Sequence, residues 1–379
     1  MSSRNRHAIT WLGAVACLAL GARAQQRYAF DAAGRPAHVD RRWALRRDGV
    51  DDIDPLTAFV QCGSRMVVSD TGSRLYRVDV RDSTATLRPF AGEEQGIGRP
   101  AALAADCERD RLYVVNAGLR TVLALKLETG EVVSRQPFKR ELYETRSAAL
   151  AGPDTLYIGG LWNADTQRGL PSRDAATFFE STWLGEKLTL SDGSIDGALP
   201  SYESKCTAAG ACTFGDLDTI SHAEPAAWIA VHGTSTQVAV YDARGSRTRT
   251  IDVTSPKFRR DGTELPVATP PDVTERWKSR NSLIRRVFGV AGHLVTVHTL
   301  TEIGPDWKFG QQTKLWVFMN IHAVDGTPAV SDVGLVDVPI GRDDSNLYAV
   351  DYGAGGRRNG ATGAALVRIA IKTGTDVVR

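Results

Sequence analysis

Residues 58–70 read Ala-Phe-Val-Gln-Cys-Gly-Ser-Arg-Met-Val-Val-Ser-Asp. A short apolar strand enters a polar turn, and a second apolar strand leaves it to end on an acid. Five further copies follow: 102–104 into 112–116, 148–150 into 156–159, 219–221 into 228–232, 287–290 into 294–298, and 338–340 into 347–351. The second strands end in Asp, Asn, Gly or His, and the turns are built from Gly, Pro, Asp, Ser and Arg. Short β-branched or aromatic runs separated by such turns predict antiparallel hairpins.

After most copies comes a third strand of alternating pattern, at 75–80, 121–127, 237–241, 314–319 and 364–371. A fourth often follows it, at 84–90, 132–137 and 247–253. Four antiparallel strands recurring at a period of about 45 residues or more predict the blades of a β-propeller. One such sheet cannot bury both faces alone, whereas stacking sheets about an axis covers them and leaves few open edges. The expected fold is all-β: a six-bladed β-propeller of four-stranded antiparallel blades, with long loops on one face. Two separate β-sandwiches would explain the sixfold hairpin poorly. The last unit lacks room for an outer strand after Gly374, so residues 27–30 are expected to supply it and close the ring.

Residues 67–75, Val-Val-Ser-Asp-Thr-Gly-Ser-Arg-Leu, resemble an NHL repeat, and residues 114–120 resemble it again with Asn116 in place of Asp. In the other units Gly159, His232, His298 and Asp351 hold the first position, but the Gly-x-Arg part is lost or embedded in insertions. The resemblance implies the six-bladed propeller superfamily, and does not choose among its lyases, lactonases, sensors and protein-binding modules.

In a propeller, turns between second and third strands and connections between blades emerge at the same end. The long insertions fall mostly there, at 162–178, 256–283, 299–312 and 352–363. Loops on a rigid scaffold are where binding usually resides. The candidate ligand-binding set is therefore His232 and His298 at strand ends, Asp70 and Asp351 in equivalent places, and Trp162 and Trp307 in insertions, with Trp183 nearby. An acid closing a strand before a tight turn ordinarily accepts hydrogen bonds from the turn's amides, which is the competing reading of Asp70 and Asn116. Residues 270–286 form the one expected helix, with Val273, Trp277 and Ile284 near helical spacing after a Pro-Pro start and a basic face that could dock an anionic partner.

Chemistry is sparse by comparison. The innermost strands of the first three units offer no oxygen ligands, and only Asp218, Ser221 and Asp337 come near the axis, so no metal site is expected. No nucleophile elbow, phosphate-cradling glycine loop or HExxH occurs, so no cofactor is expected. The chain reads as a binding module for a protein, peptide or glycan. The alternative is a propeller lyase or hydrolase using His232 or His298 as general base or metal ligand.

The first 24 residues are basic, then apolar, then small, the pattern of a cleavable secretory signal cut near Ala24, with 25–379 as one domain. The apolar run is shorter than the ~20 residues a membrane-spanning helix needs, and no later run crosses a bilayer. Cleavage leaves 43 basic against 44 acidic side chains, which gives no general pull on nucleic acid or anionic membrane. Export to the periplasm or exterior suits the four remaining cysteines. Cys206 and Cys212 bracket a short flexible loop that favours their pairing, which leaves Cys62 with Cys107.

Overall fold

The computed structural model describes residues 27–28, 39–48, 54–98, 100–116, 119–138, 143–161, 183–200, 216–220, 227–231, 233, 235–261, 270–311, 313–353 and 364–371. Residues 1–24, Cys206, Cys212, Trp162 and His232 lie outside the described residues.

The strands run in hairpin order. After β1 (Arg27–Tyr28) and β2 (Val39–Arg47), the first unit holds β3 (Leu56–Cys62), β4 (Arg65–Asp70), β5 (Leu75–Arg81) and β6 (Thr84–Ala91). The second holds β7 (Pro100–Asp106), β8 (Arg111–Asn116), β9 (Thr121–Lys126) and β10 (Val132–Pro137). The third holds β11 (Tyr143–Gly152), β12 (Thr155–Leu161), β13 (Trp183–Thr189) and β14 (Ile195–Pro200). The fourth holds β15 (Asp216–Ile220), β16 (Ala227–Val231), β17 (Gln237–Tyr241) and β18 (Arg247–Asp252). Helix α1 (Pro271–Arg280) precedes β19 (Leu283–Val290), β20 (His293–Glu302), β21 (Lys314–Ala323) and β22 (Pro328–Gly334). The chain ends on β23 (Gly341–Arg342), β24 (Asn346–Asp351) and β25 (Ala365–Ala370).

Three of the sheets are plain four-stranded antiparallel meanders, and a fourth carries β1 at its margin. The remaining sheet, in order β23-β24-β25-β2-β6-β5-β4-β3, is two antiparallel runs joined where β2 and β6 pair in parallel. The core is divided in the same way. Each hydrophobic cluster joins two neighbouring units: Leu75 with Leu112, Val115 with Ile158, Tyr157 with Trp228, Ile229 with Leu294, Val297 with Val367, and, between the two runs of the eight-stranded sheet, Phe59 with Tyr348. The last of these packs the end of the chain on its beginning, so the sheets form a closed ring. Two sandwiches would instead give two cores with no apolar contact running on from one to the next.

Closure differs from the sequence expectation in its strand. Arg27 and Tyr28 pair in parallel with Lys314 and Leu315 of β21, away from the last unit. The outer strand of that unit is β2, antiparallel to β25 through Trp43↔Leu366. The reason lies in its pattern, Val-Asp-Arg-Arg-Trp-Ala-Leu-Arg-Arg, where Trp43 and Leu45 point inward and the intervening residues are exposed. A strand alternates faces at period two, so two apolar residues suffice to commit it to a core among four arginines and an acid. Ion pairs fasten it: Arg42 to Asp351 at 2.5 Å, and Arg368 to Asp40.

The helix also ends earlier than residues 270–286 would give. Asn281 takes an extended conformation, its N–H donating to Trp277 O and its side chain to Asp261. From Leu283 the β-branched and apolar run Leu-Ile-Arg-Arg-Val-Phe-Gly-Val pairs with β20, so Ile284 faces a sheet core and not a helix groove.

Cys62, the last residue of β3, and Cys107, the residue after β7, form a disulfide across 45 residues of chain. A loop of that length removes enough unfolded-state freedom to stabilise by about 2–4 kcal/mol. Reduction, or Cys62→Ser with Cys107→Ser, is expected to lower the urea midpoint by the equivalent amount; an unchanged midpoint would show the bridge is not formed.

Candidate functional site

Where antiparallel strands alternate direction, all second-to-third turns and unit-to-unit connections lie at one end of the ring. Among the described residues, four large apolar side chains are strongly exposed: Leu119 at 51 %, Val133 at 43 %, Val273 at 45 % and Phe309 at 49 %. Three of them belong to that end: Leu119 between β8 and β9, Val273 on the connection into the fifth unit, and Phe309 between β20 and β21. Beside Asp70 the same end opens a depression of about 950 Å³, lined by Asp54, Arg74, Tyr76, Phe90, Glu93 and Glu94 among others.

The sequence-predicted residues stand as follows. Asp70 is buried at the end of β4 and accepts from Gly72 N at 2.9 Å, Arg74 N at 3.3 Å and the Tyr76 hydroxyl at 3.0 Å. Burial raises its pKa against the pull of those donors, and raises that of Tyr76 to about 12. Asn116, at the matching place in the second unit, instead ties down the connection leading into that unit, accepting from Gly98 N and donating to Gly96 O. Asp351 accepts from Gly353 N at 2.8 Å and from Arg42 of the closing strand. Trp307 is buried, donates from Nε1 to Gln311 O and lies under Arg276 of α1, whose guanidinium also donates to Trp307 O. It thus makes a platform that lifts Phe309 outward.

His298 is 1 % exposed and sits between the rings of Phe258 and Phe318, with Nδ1 against the Asn320 amide at 3.3 Å and Nε2 4.0 Å from Asp332. Burial pulls its pKa down to about 4, opposed by Asp332 and aided by Lys257. Among the described residues no hydrogen bond or ion pair links any two of Asp70, Asp351, His298 and Trp307. No three His, Cys, Asp or Glu side chains among them gather closely enough to hold a metal ion.

The buried imidazole makes stability depend on acid. The folded chain holds His298 neutral down to about pH 4, whereas the unfolded chain takes up its proton from about pH 6.5. Between those values the unfolded state binds more protons, so stability falls as pH falls, by up to about 3 kcal/mol. His298→Leu is expected to flatten the urea-midpoint profile over that window relative to the parent. Parallel profiles would contradict the burial.

Sequence reasoning set Asp218 near the axis but did not assemble the polar cluster around it. A cavity of about 290 Å³ lies on the axis, lined by residues of β3, β7, β11, β15, β19 and β23, the first strands of the successive hairpins. Alternation along β15 puts Asp216 and Asp218 on one face, toward β19. A first strand has its inner edge unpaired, and these carboxylates satisfy that edge: Asp216 accepts from Val287 N at 2.7 Å, and Asp218 from Gly289 N at 3.0 Å. Gly289 is required here, because a Cβ would stand 2.0 Å from Thr219 O. Arg286 donates its Nε to Asp216 at 3.2 Å. Arg342 grips Asp218 with two nitrogens, at 2.5 and 3.0 Å, and reaches Thr219. Burial raises the Asp216 pKa, with Arg286 opposing; burial works against the Arg342 charge, and Asp218 more than offsets it. The signal in the sequence was Asp216-Leu217-Asp218, acids at strand spacing ahead of an apolar run.

No protein-family model matches the chain, and no curated protein does. Among solved structures it is similar to a member of the DUF4221 family from Bacteroides vulgatus, at 9 % identity and a TM-score of 0.61, over 89 % of this chain and 98 % of that one. It is similar also to a putative exported protein from Bacteroides fragilis, at 8 % identity and a TM-score of 0.52, over 92 % and 99 %. The WD40 repeats of RRP9 align at 10 % identity and a TM-score of 0.47, over 89 % and 99 %. At such identities the likeness concerns fold alone. Antiparallel sheets packed face to face in a ring about an axial cavity make that fold a β-propeller.

Proposed function

We propose that this chain is an exported six-bladed propeller, one domain after a cleaved signal, acting as a binding module for a protein, peptide or glycan at its insertion-bearing end. The observation that carries this is the placement of Leu119, Val273 and Phe309 at that end, half-exposed and raised on a rigid ring. Exposed apolar side chains at the loop-bearing end of a rigid scaffold mark interaction sites. Export is supported by the Cys62–Cys107 disulfide, a bond that persists in oxidising compartments, and by the basic, apolar and small order of residues 1–24. Six blades are supported by six hairpins and by apolar interfaces that run from each unit to the next and back to the first. Among the described residues no helix is long and apolar enough to cross a membrane.

A photo-reactive residue at position 309 tests the surface against one at Thr129, which lies in an exposed third-to-fourth-strand turn at the opposite end. In the native cell envelope, position 309 is expected to cross-link a discrete species that Thr129 does not. Val273→Glu and Leu119→Glu should reduce that product about tenfold or more, while leaving the melting curve in place because both sites are exposed. Equal cross-linking from both ends would overturn the reading.

A further inference from the structure

The axial cavity has two unlike walls. Units one to three contribute no charge, only Gln61 and Ser147 among apolar side chains such as Ala58, Ala104 and Ala149, while units four to six contribute Asp218, Thr219, Arg286 and Arg342. Alanines at an axis leave space that larger residues would fill. The two charge signs are not equally available. Asp218 is consumed: Oδ2 accepts from Arg342 Nε and Gly289 N, and Oδ1 from Arg342 Nη2 and Thr219 N. Asp216 is fully buried, its Oδ2 taken by Arg286 Nε and Val287 N. The arginines remain open. Among the described residues the terminal nitrogens of Arg286 meet no acceptor, and neither does Nη1 of Arg342, although both side chains line the cavity.

We propose that this cavity binds a small amphipathic carboxylate, its head held by Arg286 and Arg342 and its apolar body against the alanine-rich wall. A carboxylate matches the planar fork of a guanidinium, and the open nitrogens of two guanidiniums repel a free cation. The carboxylates that fix the two arginines are two residues apart on one strand, about 7 Å, so both guanidiniums reach one anionic group. Phe288 lies under Arg286, with the guanidinium carbon 4.9 Å from the ring centroid, and braces that side chain. The site is separate from the partner-binding end and does not depend on it.

Titration calorimetry on the full mature chain tests the proposal with three probes: hexanoate, acetate and hexan-1-ol. Hexanoate is expected to bind, with acetate, which lacks the body, and hexanol, which lacks the charge, weaker by about tenfold or more. Arg286→Met should weaken hexanoate by a similar factor. Because that change leaves Asp216 without its counter-charge and can compromise folding, Ala149→Leu serves as the second variant; it fills the apolar wall and touches no charge. Folded Ala149→Leu that binds hexanoate as well as the parent overturns the site, as does hexanoate binding no better than acetate. Loss of hexanoate binding in folded Ala149→Leu, with the parent selective as described, establishes it.

Discussion

Asp218→Ala is expected to lower stability by about 3–5 kcal/mol, read as a drop in the urea midpoint at neutral pH. The side chain is 15 % exposed and its Arg342 partner 17 %, so solvent does little to screen either charge. Removing the carboxylate leaves a guanidinium in a narrow cavity and strips the acceptor from Gly289 N–H on the next unit's first strand. An orphaned buried donor and an uncompensated buried charge each cost more than the intact contact contributes. The pair should therefore be strongly non-additive: Asp218→Leu with Arg342→Met is expected to cost clearly less than the sum of the two single changes. Additive losses would mean that the two side chains do not meet across the axis.

Trp43→Ala is expected to cost about 3–5 kcal/mol, although Trp43 lies in a strand of four arginines near the start of the described chain. Its ring is 4 % exposed in the cluster that joins the last unit to the first, among Leu56, Phe59, Tyr348 and Leu366, and Arg368 lies over it at 5.9 Å. Losing it opens a cavity beside the one sheet that is completed by hydrogen bonds between the two ends of the chain. The exposed neighbour Arg46→Ala should stay within about 0.5 kcal/mol. If the two changes cost the same, β2 is not the strand that closes the ring.

What could be read from sequence follows the physics of each element. The six hairpins were legible because their strands are apolar on both faces and their turns are rich in Gly and Asp; the observed β3–β4 and β7–β8 pairs fall within a few residues of the expectation. Strands with one wet face and few apolar residues were not. Trp183–Thr189, Ile195–Pro200 and Pro328–Gly334 complete the third and fifth units, yet their sequences carry charge and glycine at positions that only tertiary packing makes extended. β2 escaped for the same reason, and the expected closing role fell on Arg27–Tyr28 because that stretch stood in the right order along the chain. The axial cluster was half visible: Asp218 stood near the axis in any register, but Arg286 read as part of a basic helix and Arg342 as a turn residue. Their meeting depends on six first strands converging, which no local pattern encodes. Asp70, by contrast, was legible as a turn acceptor, and its bonds from Gly72 and Arg74 are of that kind, whereas Asn116 accepts from Gly98 of the preceding connection.

Everything proposed for either end or for the axis requires that residues near the start of the chain complete the last sheet. The Ala44 amide donates to Ser83 O and the Leu45 amide to Ala364 O, each at 2.8 Å, so one strand is pinned from both sides. Hydrogen exchange followed residue by residue measures this directly. The amides of Ala44 and Leu45 are predicted to exchange as slowly as those of β24 and β25, opening only with global unfolding. Exchange of both at the rate of free chain, while β24 and β25 stay protected, would contradict the closed ring.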